Sequence, residues 1–136
     1  MISDELAQQL ALAGLRWEPR PGDQFRISAE ALSEDVFTLS HMVIEPRTYD
    51  TGTVLHFNGT TEWALDSIAQ DDTLWLPRED QLRALLGGTF RSLERDGDVY
   101  AVTTKGPDGP ATYRAAVVED AYAGALLALV HHAIDA

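Results

Sequence analysis

Residues 90–115, FRSLERDGDVYAVTTKGPDGPATYRA, contain three runs rich in β-branched and aromatic side chains: Phe90 to Glu94, Val99 to Thr104 and Ala111 to Ala115. Asp96-Gly97 separates the first two. Gly106-Pro107-Asp108-Gly109-Pro110 separates the last two, and both clusters supply the backbone angles that tight hairpins need. The stretch reads as a three-stranded antiparallel meander. Downstream, Val118 to about Ala133 carries Tyr122, Leu126, Leu129 and Ala133 at helical spacing, with Leu127 and Val130 widening the apolar stripe. This predicts a helix packed across the sheet. Upstream, Pro77 introduces a short helix near Arg78 to Leu86, and Gly87-Gly88 ends it.

Towards the N-terminus the same signals recur. Ser3 is a good cap for a helix over Asp4 to Ala13, whose first-turn carboxylates oppose the helix dipole and which Gly14 can close. Trp17 to Asp23, with two prolines and a glycine, is a loop, and Gln24 to Ile27 a short strand. Asp35 to Glu45 and Thr53 to Asn58 are strand-like and flank Tyr49-Asp50-Thr51-Gly52, which predicts a hairpin with Gly52 in a G1 bulge. Thr60 or Thr61 then caps a second short helix through about Gln70, with Ala64, Leu65 and Ile68 facing inward, and Leu74-Trp75-Leu76 leads into the Arg78 helix. The expected class is α+β: a single domain over residues 1–136 with a mostly antiparallel sheet in two hairpin or meander units. N- and C-terminal helices and two short central helices pack it.

The size suits one domain: 136 residues can bury roughly two thirds of the surface of the unfolded chain. Hydrophobic residues at 45% and charged residues at 24% fit a soluble globular protein. Acids outnumber bases 22 to 10, and the resulting charge of −12 repels phosphates, so neither direct nucleic-acid binding nor an anionic membrane is expected. A basic protein partner or a cation suits that field. Dividing the chain at residue 68 gives −7 and −5, so there is no acidic tail. The absence of cysteine excludes disulfides, thiolate catalysis and thiolate-ligated metals. An acidic N-terminus without a long apolar run is no export signal, and Ala121 to Val130 is too short to span a bilayer, so the expected location is cytoplasmic. Lys105 is the one lysine among ten basic residues, which with abundant alanine suggests a GC-rich genome.

Several motifs invite chemical readings. Asp50-Thr51-Gly52-Thr53 resembles the loop of aspartic proteases, in which two subunits each bring one aspartate to a shared proton. That family places an apolar strand before the aspartate, where this chain has Pro46-Arg47-Thr48-Tyr49, and a turn alone explains Asp and Gly. In the predicted hairpin His56 lies opposite Glu45 or Pro46, giving a His/Glu pair; His131 and His132, being adjacent, point to different faces of a helix, and His41 has no companion. Three of the five acidic doublets, Asp4-Glu5, Glu79-Asp80 and Glu119-Asp120, fall in a helical first turn, where the dipole explains them. No phosphate-cradling loop, dinucleotide fingerprint or serine elbow occurs, so no cofactor, metal or catalytic residue is expected.

What remains is the insert from Phe57 to Asp66 and from Leu74 to Leu82, where Trp63 and Trp75 stand beside Asp66 and Arg78. Trp and Arg combine large apolar area with a directional polar edge, so these four are the expected partner or ligand contacts. Core packing of both indoles is the alternative. This insert, with Thr89-Phe90-Arg91-Ser92-Leu93 after it, resembles a family of small acidic actinobacterial proteins, some of them labelled "pilus assembly protein CpaE". The ATPases that own that label need a Gly-rich loop and its lysine, which are missing here. The resemblance therefore implies an actinobacterial origin and one fold unit, and it carries over no catalytic residue. The expectation is a non-enzymatic protein-interaction module. The alternative is a small hydrolase or metal-dependent enzyme using Asp50 or the His56 and Glu45 region, and a homo-oligomeric structural protein is a third reading.

Overall fold

A computed structural model describes residues 1–27, 35–39, 43–49, 52–57, 67–69 and 73–135. Its elements in chain order are α1 (Asp4–Leu12), β1 (Gln24–Ile27), β2 (Val36–Thr38), β3 (Val43–Tyr49), β4 (Gly52–Phe57), β5 (Ser67–Ala69), β6 (Thr73–Leu76), α2 (Glu79–Leu86), β7 (Phe90–Asp96), β8 (Val99–Gly106), β9 (Gly109–Ala115) and α3 (Val118–Asp135). A single 3₁₀ turn, Gly87–Thr89, follows α2. The strands form three antiparallel sheets in the orders β2-β1-β6, β3-β4-β5 and β7-β8-β9, so the class is α+β. The chain divides into two compact units: Met1–Arg16 with Pro77–Ala136, and Trp17–Leu76. Among the described residues no helix is long and apolar enough to cross a membrane.

In the first unit α3 is the element that the others meet. It packs on β8 and β9 and also against α1 and α2. Contact on several sides explains why Ala121, Tyr122, Ala123, Ala125, Leu126 and Leu127 are all buried, joining Leu10, Leu82, Leu86 and Val102 in the core. Ser3 caps α1 as its sequence predicts, its Oγ accepting from the Leu6 N–H at 3.3 Å. Leu15 N–H returns to the Leu10 carbonyl and Gly14 N–H to that of Ala11, the two bonds of a Schellman ending. Asp120, read above as a dipole residue, also accepts the Ser3 N–H at 2.7 Å and so ties the start of α1 to α3.

The meander is as expected, and its register shows how the turns are built. Asp96 pairs with Val99, so the two loop residues are Gly97 and Asp98, not Asp96 and Gly97. Gly97 has φ +63° and no non-glycine residue among the described ones has a positive φ, which is the sign pattern of a type II′ turn. At the second turn Gly106 pairs with Gly109 across Pro107-Asp108, and Gly109 has φ +97°. A proline at the second position and a left-handed glycine at the fourth make this the type I turn with a G1 bulge.

The second unit holds the other two sheets. Phe37, Phe25 and Trp75 stand in one register row across β2, β1 and β6, and they pack with Trp17, Ile27 and Leu39. The Phe25 ring lies 5.3 Å from that of Trp17 and 5.7 Å from that of Phe37. Here two expectations need correction. The run Asp35 to Glu45 is not one strand: β2 pairs with β1 and β3 with β4, in different sheets. Leu39 marks the departure, its N–H bonding the Asp23 carbonyl and its carbonyl taking the Gly22 N–H. Ser67 to Ala69, read as the end of a helix, pairs with β4 as a strand, since cross-strand pairing overrides a weak local propensity; residues 58–66, where the rest of that helix was expected, lie outside the described residues. Leu74-Trp75-Leu76 belongs to β6. The β3–β4 hairpin is present, and its register shifts between Val43 and Pro46, where a proline without an N–H cannot complete the ladder.

Candidate functional site

Charge and aromaticity are distributed unevenly between the two units. Trp17–Leu76 carries 11 acidic and 3 basic residues, a net charge of −8, while the longer first unit has 11 and 7, a net −4. All three tryptophans and all but one phenylalanine lie in the same acidic unit. Of these rings Trp17 and Phe25 are buried and Phe37 and Trp75 partly so, and the excess of carboxylates gives the unit a negative field that attracts cations.

The aromatic cluster is positioned from the loop that precedes β1. Arg20 to Asp23 form a turn closed by the Asp23 N–H on the Arg20 carbonyl, with Pro21 and Gly22 in the middle. The turn carries the Asp23 side chain inward, where it is 1% exposed. Its Oδ2 accepts from Trp17 Nε1 at 2.9 Å and from the Arg20 N–H at 3.0 Å, so a buried carboxylate orients the indole that packs on Phe25. Neither residue was a sequence candidate. The one local signal was a tryptophan six residues before an aspartate in a Pro/Gly turn.

Of the four expected contact residues, Trp63 and Asp66 lie outside the described residues. Trp75 is half-buried on β6 and packs against the aromatic cluster, and its Nε1 is buried without a hydrogen-bond partner among the described residues. The polar edge that singled it out therefore faces inward, and the exposed part of the indole is ring carbon. Arg78 belongs to the other unit, at the N-cap of α2. Its backbone N–H donates to Gln81 Oε1 at 2.9 Å and its Nε to Asp80 Oδ1 at 3.2 Å, with about a third of the side chain exposed. A cap and a surface ion pair hold the guanidinium beside the helix start, where further acceptors could reach it.

For the hydrolase or metal alternative, the pairs Val43–Phe57 and Pro46–Leu55 leave Ile44 and Glu45 opposite His56, and His56 in turn pairs with Ser67. Glu45 and His56 are thus register neighbours. Asp50 and His41 lie outside the described residues. His131 is exposed, while His132 turns toward the second turn of the meander, Nδ1 lying 3.2 Å from Asp108 Oδ2. Among the described residues no three His, Asp or Glu side chains gather to hold an ion.

One titratable group is clearly perturbed. Tyr122 is fully buried on α3, its ring stacked 5.9 Å from Phe90. Burial pushes its phenol up, the Glu79 carboxylate adds to the rise, and the Arg83 guanidinium opposes it. Arg83 itself lies over the Phe90 ring at 4.1 Å. With the phenolic oxygen 3.5 Å from Glu79 Oε1, at the outer limit of hydrogen bonding, the group links α2 to α3 and holds a neutral phenol at ordinary pH. No family model, curated protein or solved structure was found to match the chain.

Proposed function

We propose that the chain is a cytoplasmic, non-enzymatic interaction module whose Trp17–Leu76 unit engages a basic protein partner through Trp63, Asp66 and Trp75, with Arg78 as a separate contact offered by the other unit. The observation that carries this reading is the coincidence of a net −8 and all three tryptophans within those 60 residues. Aromatic anchors supply the desolvated contact area and the carboxylates steer a cationic partner. The test is affinity capture from the native cell with the wild type, with Trp63→Ala, Asp66→Asn and Arg78→Ala, and with Glu94→Ala as a control on an exposed strand position of the other unit. A basic protein should be retained by the wild type and the control, be lost with Trp63→Ala, and elute as salt rises. Retention by all variants alike, or no specific protein, would sink the reading.

A second reading takes the Glu45 and His56 neighbourhood as a hydrolytic or zinc-dependent site, because the register sets the two residues in adjoining strands. Zinc titration followed calorimetrically decides it. Micromolar binding that His56→Ala and Glu45→Gln both abolish would favour this reading over the first.

A further inference from the structure

In the first unit the β8–β9 hairpin and the C-terminal half of α3 line a half-open pocket of about 130 Å³. Small residues leave the space: Ala111 on β9, Ala125 and Ala128 on α3, with Tyr113 and Leu129 as larger apolar walls. Thr104 of β8 also lines it and is only 7% exposed. On the opposite face of β8 the Thr103 hydroxyl pairs with that of Thr112 at 3.0 Å, and the Thr89 hydroxyl at the pocket donates to the Leu86 carbonyl at 2.7 Å. The Thr104 hydroxyl, in contrast, has no hydrogen-bond partner among the described residues. Its oxygen is not among the sealed polar atoms, so water or a ligand in the pocket can reach it and hydrogen-bond with it. At the turn end of the same pocket stands Asp108, 86% exposed, whose Oδ2 meets His132 Nδ1 at 3.2 Å.

These features select a ligand. Cavities near 150 Å³ take a single six-membered ring, and apolar walls favour a hydrocarbon body. The carboxylate at the mouth, within a chain of charge −12, repels anions and attracts cations. Gly106 pairs with Gly109 beside the turn, and Thr104 lies two residues farther along β8, about 7 Å by strand rise. We propose that this pocket binds a small primary amine built on one ring, with its ammonium at Asp108, its ring against Ala128, Leu129 and Tyr113, and a hydrogen-bonding group at its far end on the Thr104 hydroxyl.

The probe is 4-hydroxybenzylamine, titrated into the ¹⁵N-labelled full chain and followed by amide shifts, with benzylamine and 4-hydroxybenzoate as comparators. Saturable shifts at Gly106, Ala125 and Ala128 are expected with a Kd of about 1 mM, a reasonable affinity for so small a ligand. Benzylamine should bind about fivefold more weakly, as fits one lost hydrogen bond, and Thr104→Val should erase that difference. Asp108→Asn should weaken both amines about threefold, the scale of an exposed ion pair, and the benzoate should not saturate. Ala128→Leu fills the pocket from the helix, and Ala111→Val fills it from the strand should the first variant fail to fold; either should abolish binding. Binding that survives the filling variant, equal affinity for amine and benzoate, a preference for the hydroxyl that persists in Thr104→Val, or no saturable shift would each overturn the proposal.

Discussion

Asp23 shows how much one side chain can organise. Its carboxylate is buried and accepts both the Trp17 indole N–H and the Arg20 N–H, while its own backbone carbonyl takes the Leu39 N–H. Removing the shared acceptor strands two donors in an apolar surround, so Asp23→Ala should cost about 3 kcal/mol. Asp23→Asn keeps an oxygen of the same reach and loses only charge assistance, so about 1 kcal/mol is expected. Urea unfolding followed by tryptophan fluorescence measures both, and an Asn variant as unstable as the Ala variant would show that charge outweighs the acceptor. The sequence made this residue look ordinary, since a Pro/Gly loop already explains an aspartate. The same blindness affects Asp120, whose bond to the Ser3 N–H spans 117 positions. Trp75 was legible as an aromatic of consequence, but the direction of its indole was not, because the burial of Nε1 depends on how β6 packs on Phe25 and Trp17.

At the scale of elements, local punctuation carried the reading wherever glycine, proline or a cap decides a boundary. Ser3 for α1, Gly87 after α2 and the glycines of the β7-β8-β9 meander all act within a few residues, and those elements stand where the sequence puts them. What the sequence hides is partnership. A β-branched run states that a segment is extended but not which strand it joins, so the division of Asp35 to Glu45 between two sheets and the pairing of Ser67–Ala69 with β4 could not be read locally. The turns yield a prediction with opposite signs. Gly109 sits at φ +97° with open space where a Cβ would be, so Gly109→Ala should destabilise by about 1–2 kcal/mol through backbone strain alone. In the middle of α3, Gly124 has an ordinary φ, and an added Cβ would meet Tyr113 Cδ1 at 3.8 Å, a normal contact. Gly124→Ala should therefore stabilise by about 0.5–1 kcal/mol. Thermal melts followed by circular dichroism measure both, and a shift of the same sign in the two variants would contradict the turn assignment.

For the whole molecule the deciding quantity is how the charge is distributed. Dividing the chain at residue 68 suggests an even spread, because that cut passes through the acidic unit; the boundaries at Trp17 and Leu76 reveal −8 against −4. Among the described residues the ion pairs Glu18–Arg20 and Arg78–Asp80 are largely exposed, and such pairs contribute at most about 1 kcal/mol each. Repulsion among 22 carboxylates acts over longer distances and is the part that salt removes as the screening length falls from about 10 Å at 0.1 M to about 3 Å at 1 M. Stability against urea should therefore rise with potassium chloride between roughly 0.05 and 0.5 M, the reverse of what a protein held by surface ion pairs would do. The two units can be followed separately, since every tryptophan lies in Trp17–Leu76 and every described helix in the other unit. The fluorescence midpoint should gain more from salt than the helical dichroism midpoint. Replacing an exposed acid of the acidic unit, as in Asp35→Lys, should raise the fluorescence midpoint at low salt and flatten its salt dependence. A midpoint that falls with salt, or one in which dichroism moves further than fluorescence, would mean that the carboxylates of Trp17–Leu76 are engaged in attractive contacts within the fold, leaving no uncompensated field to steer a basic partner.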